Sequence, residues 1–158
     1  MNTTTKKRLK ITALLALTGI IIAAGVIIYL FNMPHRNVQA ASADYSINAE
    51  EIVNEYLTDA LIANEKYLDA EGESKILAVN GIVHEITEDY NGDKVVLLKS
   101  DKMQAGVSCT FTPETNPQAA NLIVGDHITI KGVIRSGASY DEDLEMYEHV
   151  IMEKSSIQ

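Results

Sequence analysis

From Ile76 onward the apolar residues fall in short, β-branched runs separated by turn signals. Ile76 to Ile86 reads as a long strand interrupted at Gly81. Lys94 to Lys99, centred on Val95, Val96, Leu97 and Leu98, reads as a second. Gly106 to Thr112 reads as a third, with Val107, Cys109 and Phe111 alternating with polar residues. His127 to Arg135, broken at Gly132, is a fourth, and Met146 to Met152 a fifth. Asn91-Gly92 marks a hairpin turn between the first two. Asn116-Pro117 reads as an N-cap with proline at the first helical position, opening a short helix through Leu122. A polar, acidic loop from Ser136 to Asp143 precedes the fifth strand.

Ahead of the strands the period lengthens to that of a helix. Ile52, Val53, Tyr56, Leu57, Ala60 and Leu61 form one stripe, extended by Tyr67 and Leu68, while Glu50, Glu51, Glu55 and Asp59 fall on the wet side. Asn48 and Glu51 have capping-box spacing, and Ile47 and Ile52 are placed as a hydrophobic staple. Asn64 also falls on the stripe, where a buried amide would need a partner on a neighbouring loop or strand. Further upstream, Ile11 to Phe31 carries no charge. As a helix it would span about 32 Å, close to the roughly 30 Å of a bilayer's hydrocarbon core.

Charge turns that run into a topology. Lys6, Lys7, Arg8 and Lys10 precede it and only Arg36 follows closely. The positive-inside rule then places the N-terminus in the cytoplasm and the rest outside. A cleaved signal peptide is the rival reading, with Val38-Gln39-Ala40 and Ala41-Ser42-Ala43 as small-residue sites, but the apolar run is longer than such a peptide needs. Gly19 and Ala23 form a small-xxx-small pair that could pack two anchors, but such pairs are common by chance and a plain lipid-facing helix is the preferred reading. The expected plan is a basic tail over 1–10, an anchor over 11–31, a tether over 32–47 and a domain over 48–158. The fold expectation is mainly β: a five-stranded OB-fold-like barrel preceded by an amphipathic helix, with a single N-terminal transmembrane helix. A β-sandwich would need more strands.

Several segments resemble the bacterial tRNA_anti-like family of OB-fold proteins. They are Ala63-Asn64-Glu65-Lys66-Tyr67, Val79-Asn80-Gly81-Ile82-Val83, Val95-Val96-Leu97-Leu98, Val107-Ser108-Cys109-Thr110-Phe111, and the run from Leu122 to Gly132. The resemblance spans about Ile52 to Met152. It implies the barrel and, through the family's name, a nucleic-acid ligand; it supplies no catalytic residues. The haem chaperone of cytochrome c maturation shares the anchor-plus-barrel plan, but its histidine motif has a nearby tyrosine, and none follows His149 here.

Candidate chemistry is sparse. The part from Asp44 onward holds eight basic and 22 acidic residues, a formal charge of −14. Such a charge opposes a polyanion. Lys94, Lys99, Lys102, Lys131 and Arg135 are scattered among Glu88, Asp89, Asp93, Asp101 and Asp126, where a nucleic-acid groove needs a basic track beside its aromatic platforms. Tyr90, Tyr140 and Tyr147 could offer stacking surfaces. Of these, Tyr90 and Tyr140, with Lys131 and Arg135, are the ligand-facing candidates. His84, His127 and His149 lie on three different strands without the short spacing of a metal site. Asp141-Glu142-Asp143 and Glu145 could hold calcium but lack EF-hand spacing, and read as a solvated charge run. The one cysteine, Cys109, reads as a small buried hydrophobe.

The sequence therefore predicts no catalytic residues, no cofactor and no metal. It predicts a non-catalytic, membrane-anchored binding or adaptor module in the periplasm or at the cell exterior. Its partners would be the bilayer, through Ile11 to Phe31, and a protein, peptide, glycan or small molecule. A nucleic-acid-binding protein is the alternative and an enzyme the third reading.

Overall fold

The computed structural model describes residues 16–29, 36–70 and 72–158. The chain divides into two compact units, Met1–Arg36 and Asn37–Gln158. In the first, residues 16–29 are helical (α1), and Leu17, Ile20, Ile21, Ile22, Val26, Ile27 and Ile28 are all exposed. Fourteen helical residues reach about 21 Å. Among the described residues no helix is long and apolar enough to cross a membrane. The rest of the expected span, and the cations at Lys6, Lys7, Arg8 and Lys10, lie outside the described residues.

The second unit runs β1 (Tyr45–Asn48), α2 (Ala49–Thr58), α3 (Ala60–Tyr67), β2 (Ile76–Glu88), β3 (Lys94–Leu98), β4 (Val107–Phe111) and α4 (Asn116–Ala119). It continues with β5 (His127–Ser136), β6 (Ser139–Asp141), β7 (Met146–Glu148) and β8 (Val150–Ile157). The strand order β1-β2-β3-β4-β8-β5, with β2 also pairing β5, closes a five-stranded barrel of β2, β3, β4, β8 and β5. The protein is mainly β, with a helical segment ahead of the barrel. β4 and β8 run parallel, while the other four barrel pairings are antiparallel.

Closure depends on β2 serving two partners. Ile76 to Ile82 pairs with β5, and Val83 to Glu88 pairs with β3. The exchange falls just after Gly81, as the interrupted pattern predicts. A Cβ there would sit 3.1 Å from the Cβ atoms of both Ala49 and Leu98, so the small residue lets α2 close over the barrel. Gly132 plays the matching part on β5, where a Cβ would lie 2.9 Å from the Glu153 carbonyl oxygen and from Ser155 Oγ. Tyr67, Phe111, Ile52, Leu77, Leu98, Ile130, Ile134 and Met152 fill the core with Cys109. Burial pushes the Cys109 thiol pKa far up, which suits its packing role.

Four local expectations change. First, Met146 to Met152 is not one strand. Met146–Glu148 pairs only with Ser139–Asp141 in a separate hairpin. The barrel strand begins at Val150 and runs on through the buried Ser155 and Ser156. Close approach of β5 and β8 at Gly132 demands small residues, so polarity there misleads an apolar pattern.

Second, the single helix is two. Asp59 is extended at φ −152°, ψ 93°, and its carboxylate accepts from the Leu61 and Ile62 N–H groups, each at 3.1 Å. The break resets the helical phase. Ala63 and Tyr67 then face the core, while Leu61, Ile62 and Asn64 are exposed.

Third, Asn48, the last residue of β1, stands at the N-cap of α2, but its side chain makes no capping hydrogen bond. The staple partners Ile47 and Ile52 are nevertheless both buried in the same cluster.

Fourth, residues 37–47 are not a tether. Val38 is buried against Ile76 and Val133, and β1 pairs in parallel with Leu77 to Asn80. The first half of β2 has no β3 beside it, and β1 satisfies that backbone edge. Residues 32–35 of the expected tether lie outside the described residues.

Candidate functional site

OB-fold barrels present ligands to the loops joining their first and second strands and their fourth and fifth. In this barrel those connections are the β2–β3 turn and the segment carrying the β6–β7 hairpin.

The β2–β3 turn is bonded within itself. The Asp89 carboxylate accepts from the N–H groups of Asn91 (2.8 Å) and Asp93 (2.9 Å), and Gly92 takes a positive φ of 84°. These bonds, that from Asp93 foremost, hold the Asp89 carboxyl below its ordinary range. Asn116 ties the turn to α4. Its Oδ1 accepts from Lys94 N–H at 2.8 Å, and its Nδ2 donates to the Gly92 carbonyl at 3.4 Å and the Asp93 carboxylate at 3.1 Å. Asn116 is thus not the N-cap. That place falls to the buried Thr115, whose hydroxyl donates to the Ser155 carbonyl at 2.7 Å.

The β6–β7 hairpin is built differently. Asp141 accepts from the N–H groups of Asp143 and Leu144, both at 2.9 Å, and Glu145 adopts φ 51° to complete the turn. Tyr140 and Tyr147 lie directly across from each other, ring centroids 4.8 Å apart and planes inclined at 54°. The base of the hairpin packs on α2. A Cβ on Gly137 would lie 1.9 to 2.6 Å from atoms of the Tyr56 ring, so only glycine fits there.

Between hairpin and helices opens a cleft of about 440 Å³. Tyr56, Leu57 and Ala60 line one side, Ala138, Ser139, Tyr140 and Tyr147 the other, and Gln104 contributes from the β3–β4 loop. No lining residue carries a charge. The Tyr56 hydroxyl is buried and has no hydrogen-bond partner. Burial, then the neighbouring Tyr67 and Glu55, pushes its pKa up to about 12, so it stays a neutral donor. A buried donor without an acceptor is costly.

The four candidates from sequence separate. Tyr140 lines the cleft and Tyr90 is fully exposed at the β2–β3 turn. Lys131 does not face solvent. It is buried, and its ammonium donates to the carbonyls of Gln39 (2.9 Å) and Ala41 (3.0 Å), fastening the N-terminal segment of the domain to β5. Arg135 pairs with Glu153 across the β5–β8 ladder at 2.8 Å. Pattern reading assigned Tyr56 to the core and passed over Gln104 and Ala138. Their only sequence signal is Gly137, and its aromatic partner lies far upstream.

The histidines remain apart in role. His149 Nδ1 accepts from Gly106 N–H at 3.0 Å, and burial, then Lys99 and His84, lower its pKa. His127 lines a separate cavity of about 150 Å³ beside Gly81. Among the described residues no three His, Cys, Asp or Glu side chains are grouped to hold a metal. A wider groove of about 790 Å³ runs along α2 and α3, with Glu50, Glu51, Glu55 and Asp59 on its walls. Its cation, Lys66, is held by the Glu55 carboxylate at 2.9 Å and lies 4.7 Å from the centre of the Tyr67 ring.

No curated protein matches the chain. Among solved structures it is similar to a lipoprotein of Klebsiella pneumoniae subsp. pneumoniae provisionally described as nucleic acid-binding. That match has a TM-score of 0.52 and 14% identity, and covers 80% of this chain and 99% of that one. The likeness supports the fold. The tRNA_anti-like family model matches residues 1–142, which take in four of the five barrel strands, β2 to β5, and stop before β8, and the chain belongs to the tRNA_anti-like family.

Proposed function

We propose that the protein is a non-catalytic binding module, held at the outer face of the cytoplasmic membrane, that takes its ligand in the tyrosine-lined cleft between α2 and the β6–β7 hairpin. The observation that carries the reading is the cleft itself. The barrel interior is filled by its own side chains. The cleft lies outside the barrel on one of the two ligand loops, and its walls are uncharged and carry three tyrosines. Membrane attachment rests on the uncharged run Ile11 to Phe31, the cations before it, and a helical stretch over 16–29 whose large apolar side chains are exposed. Alkaline phosphatase fused after Gln158 should be active and a fluorescent protein fused there dark. The opposite pair of results would place the domain in the cytoplasm.

A second reading, nucleic-acid binding, is favoured by the family's name and by the description of the Klebsiella protein. The charge weighs against it. Phosphate neutralisation needs clustered Lys and Arg, whereas Lys131 and Arg135 are both engaged within the domain. The full chain titrated with labelled single-stranded DNA and RNA at low salt should show no saturable binding at low micromolar concentration. Saturation that weakens steeply with added salt would establish the second reading instead.

A further inference from the structure

Two of the segments that line the cleft are joined by one titratable side chain. His149 is the single residue between β7 and β8. Its Nδ1 accepts from the Gly106 N–H at 3.0 Å, and the Val150 N–H donates to the Gly106 carbonyl, also at 3.0 Å. Gly106 is thus clasped through both of its backbone groups. It is also packed hard on β3, where a Cβ would lie 2.8 Å from the Leu98 carbonyl oxygen and from the Leu97 side chain. Gln104, two residues before Gly106, lines the cleft from the β3–β4 loop, and Tyr147, two residues before His149, lines it from the hairpin. An imidazole nitrogen accepts only while it is unprotonated, so the ring of His149 carries its one proton on Nε2. A second proton, taken from solvent onto Nδ1, sets a donor against the Gly106 N–H and breaks the bond. Lys99, just past β3, and His84 on β2 bring positive charge toward the ring, and Glu85 on β2 opposes them. The Lys99 ammonium also donates to the Gln104 carbonyl at 3.3 Å, within the same loop. Asp101 and Lys102 of that loop, and Glu148 next to the histidine, are exposed. Burial first, then Lys99 and His84, lower the His149 pKa. The clasp is therefore complete above the ordinary histidine pKa and is lost as pH falls through the lowered one.

Resting on the reading that this cleft is the ligand site, we infer that the site is gated by acid: protonation of His149 unfastens the β3–β4 loop from the hairpin and opens the cleft between Gln104 and Tyr147. The ligand is held at neutral pH and released in acid. The Val150 to Gly106 bond survives protonation, so the loop swings about Gly106 and stays attached to the barrel.

The test follows the full-length chain in phosphatidylglycerol nanodiscs by heteronuclear NMR from about pH 7.5 to about pH 4.5, a range that spans histidine titration. The His149 ring resonances should titrate below the ordinary histidine range. Exchange of the Gly106 amide, corrected for the intrinsic effect of pH, should quicken roughly ten-fold with the same midpoint. The Gln104 side-chain amide and the Tyr147 ring resonances should move with it. His149→Asn places an amide oxygen where Nδ1 stood, an acceptor that takes up no proton, and should abolish all three responses while keeping the neutral-pH spectrum. Lys99→Gln removes a positive charge beside the ring and should shift the common midpoint upward, a readout that remains if the Asn variant does not fold. A Gly106 amide that stays protected while His149 titrates would overturn the gate. So would responses that persist in a folded His149→Asn chain, or Gln104 and Tyr147 signals that ignore the His149 midpoint. No ligand is added, so the gate is tested apart from the reading of the cleft as the ligand site, and either can fail without the other.

Discussion

The two loops at which an OB-fold meets its ligands have opposite constructions in this molecule. The β2–β3 turn satisfies itself: Asp89 holds two backbone N–H groups, Gly92 supplies the positive φ, and Asn116 reaches over from α4 with three further bonds. It leaves Tyr90 fully exposed, beside the exposed Asn91. The β6–β7 hairpin closes its own tip through Asp141, yet its flank is concave and aromatic and leans on a helix from outside the barrel. The first loop is a rigid strut, and the second is half of a cleft whose other half is Tyr56. A loop whose backbone is tied down by its own side chains has little left to offer a ligand. One whose flank lines an uncharged, aromatic cleft has more.

The sharpest way to break this contrast is to separate hairpin from helix. Gly137→Val drives side-chain atoms into the Tyr56 ring. Overpacking of this kind should cost about 3 kcal/mol in chemical denaturation. A variant as stable as the parent would show that the hairpin does not need its seat on α2. The corresponding attack on the strut is milder. Asn116→Ala removes three hydrogen bonds but leaves most of their partners able to reach water, so a loss of about 1–2 kcal/mol is expected. A loss as large as that of Gly137→Val would make the turn, not the hairpin seat, the more tightly coupled element.

The pH response of the strut sharpens the contrast further. The folded-state Asp89 pKa lies below its unfolded value, so its contribution is complete above the ordinary aspartate pKa and is lost as pH falls through the depressed one. Urea unfolding of Asp89→Asn and the parent should differ at pH 6 and converge in acid. Curves that stay parallel down to about pH 2.5 would remove Asp89 from the turn's stability. The smallest effect is reserved for Tyr140→Ala, a residue that is 49% exposed. Its unfolding free energy should stay within about 0.5 kcal/mol of the parent. A larger loss would mean that Tyr140 is structural and not held out for a ligand.

Much of the fold was legible because it is local. The runs at Ile76, Lys94, Gly106 and His127 are strands, the Asn91-Gly92 turn is where its dipeptide puts it, and Gly81 marks the change of partner along β2. These features follow from period and from single-residue backbone preferences. The misreadings share a different cause. Asp59 could sit on the wet face of one helix or cap the next, and only the packing of Tyr67 into the core selects the second. Ser155 and Ser156 look like a surface tail until Gly132 draws β5 and β8 together. Lys131 has the composition of a ligand contact, but segment 37–41 folds back over it.

The sequence by itself determined that an uncharged run precedes a strongly acidic, strand-rich domain, and it marked the barrel's strands and glycines. Hydrophobic period, charge and glycine placement each act over a few residues, so they survive in one dimension. Tertiary structure alone decided that Tyr56 meets Gly137, that β1 completes the edge of β2, and that the hairpin and helices enclose a cleft. Those contacts join residues dozens of positions apart, and each depends on barrel closure, which no local pattern encodes.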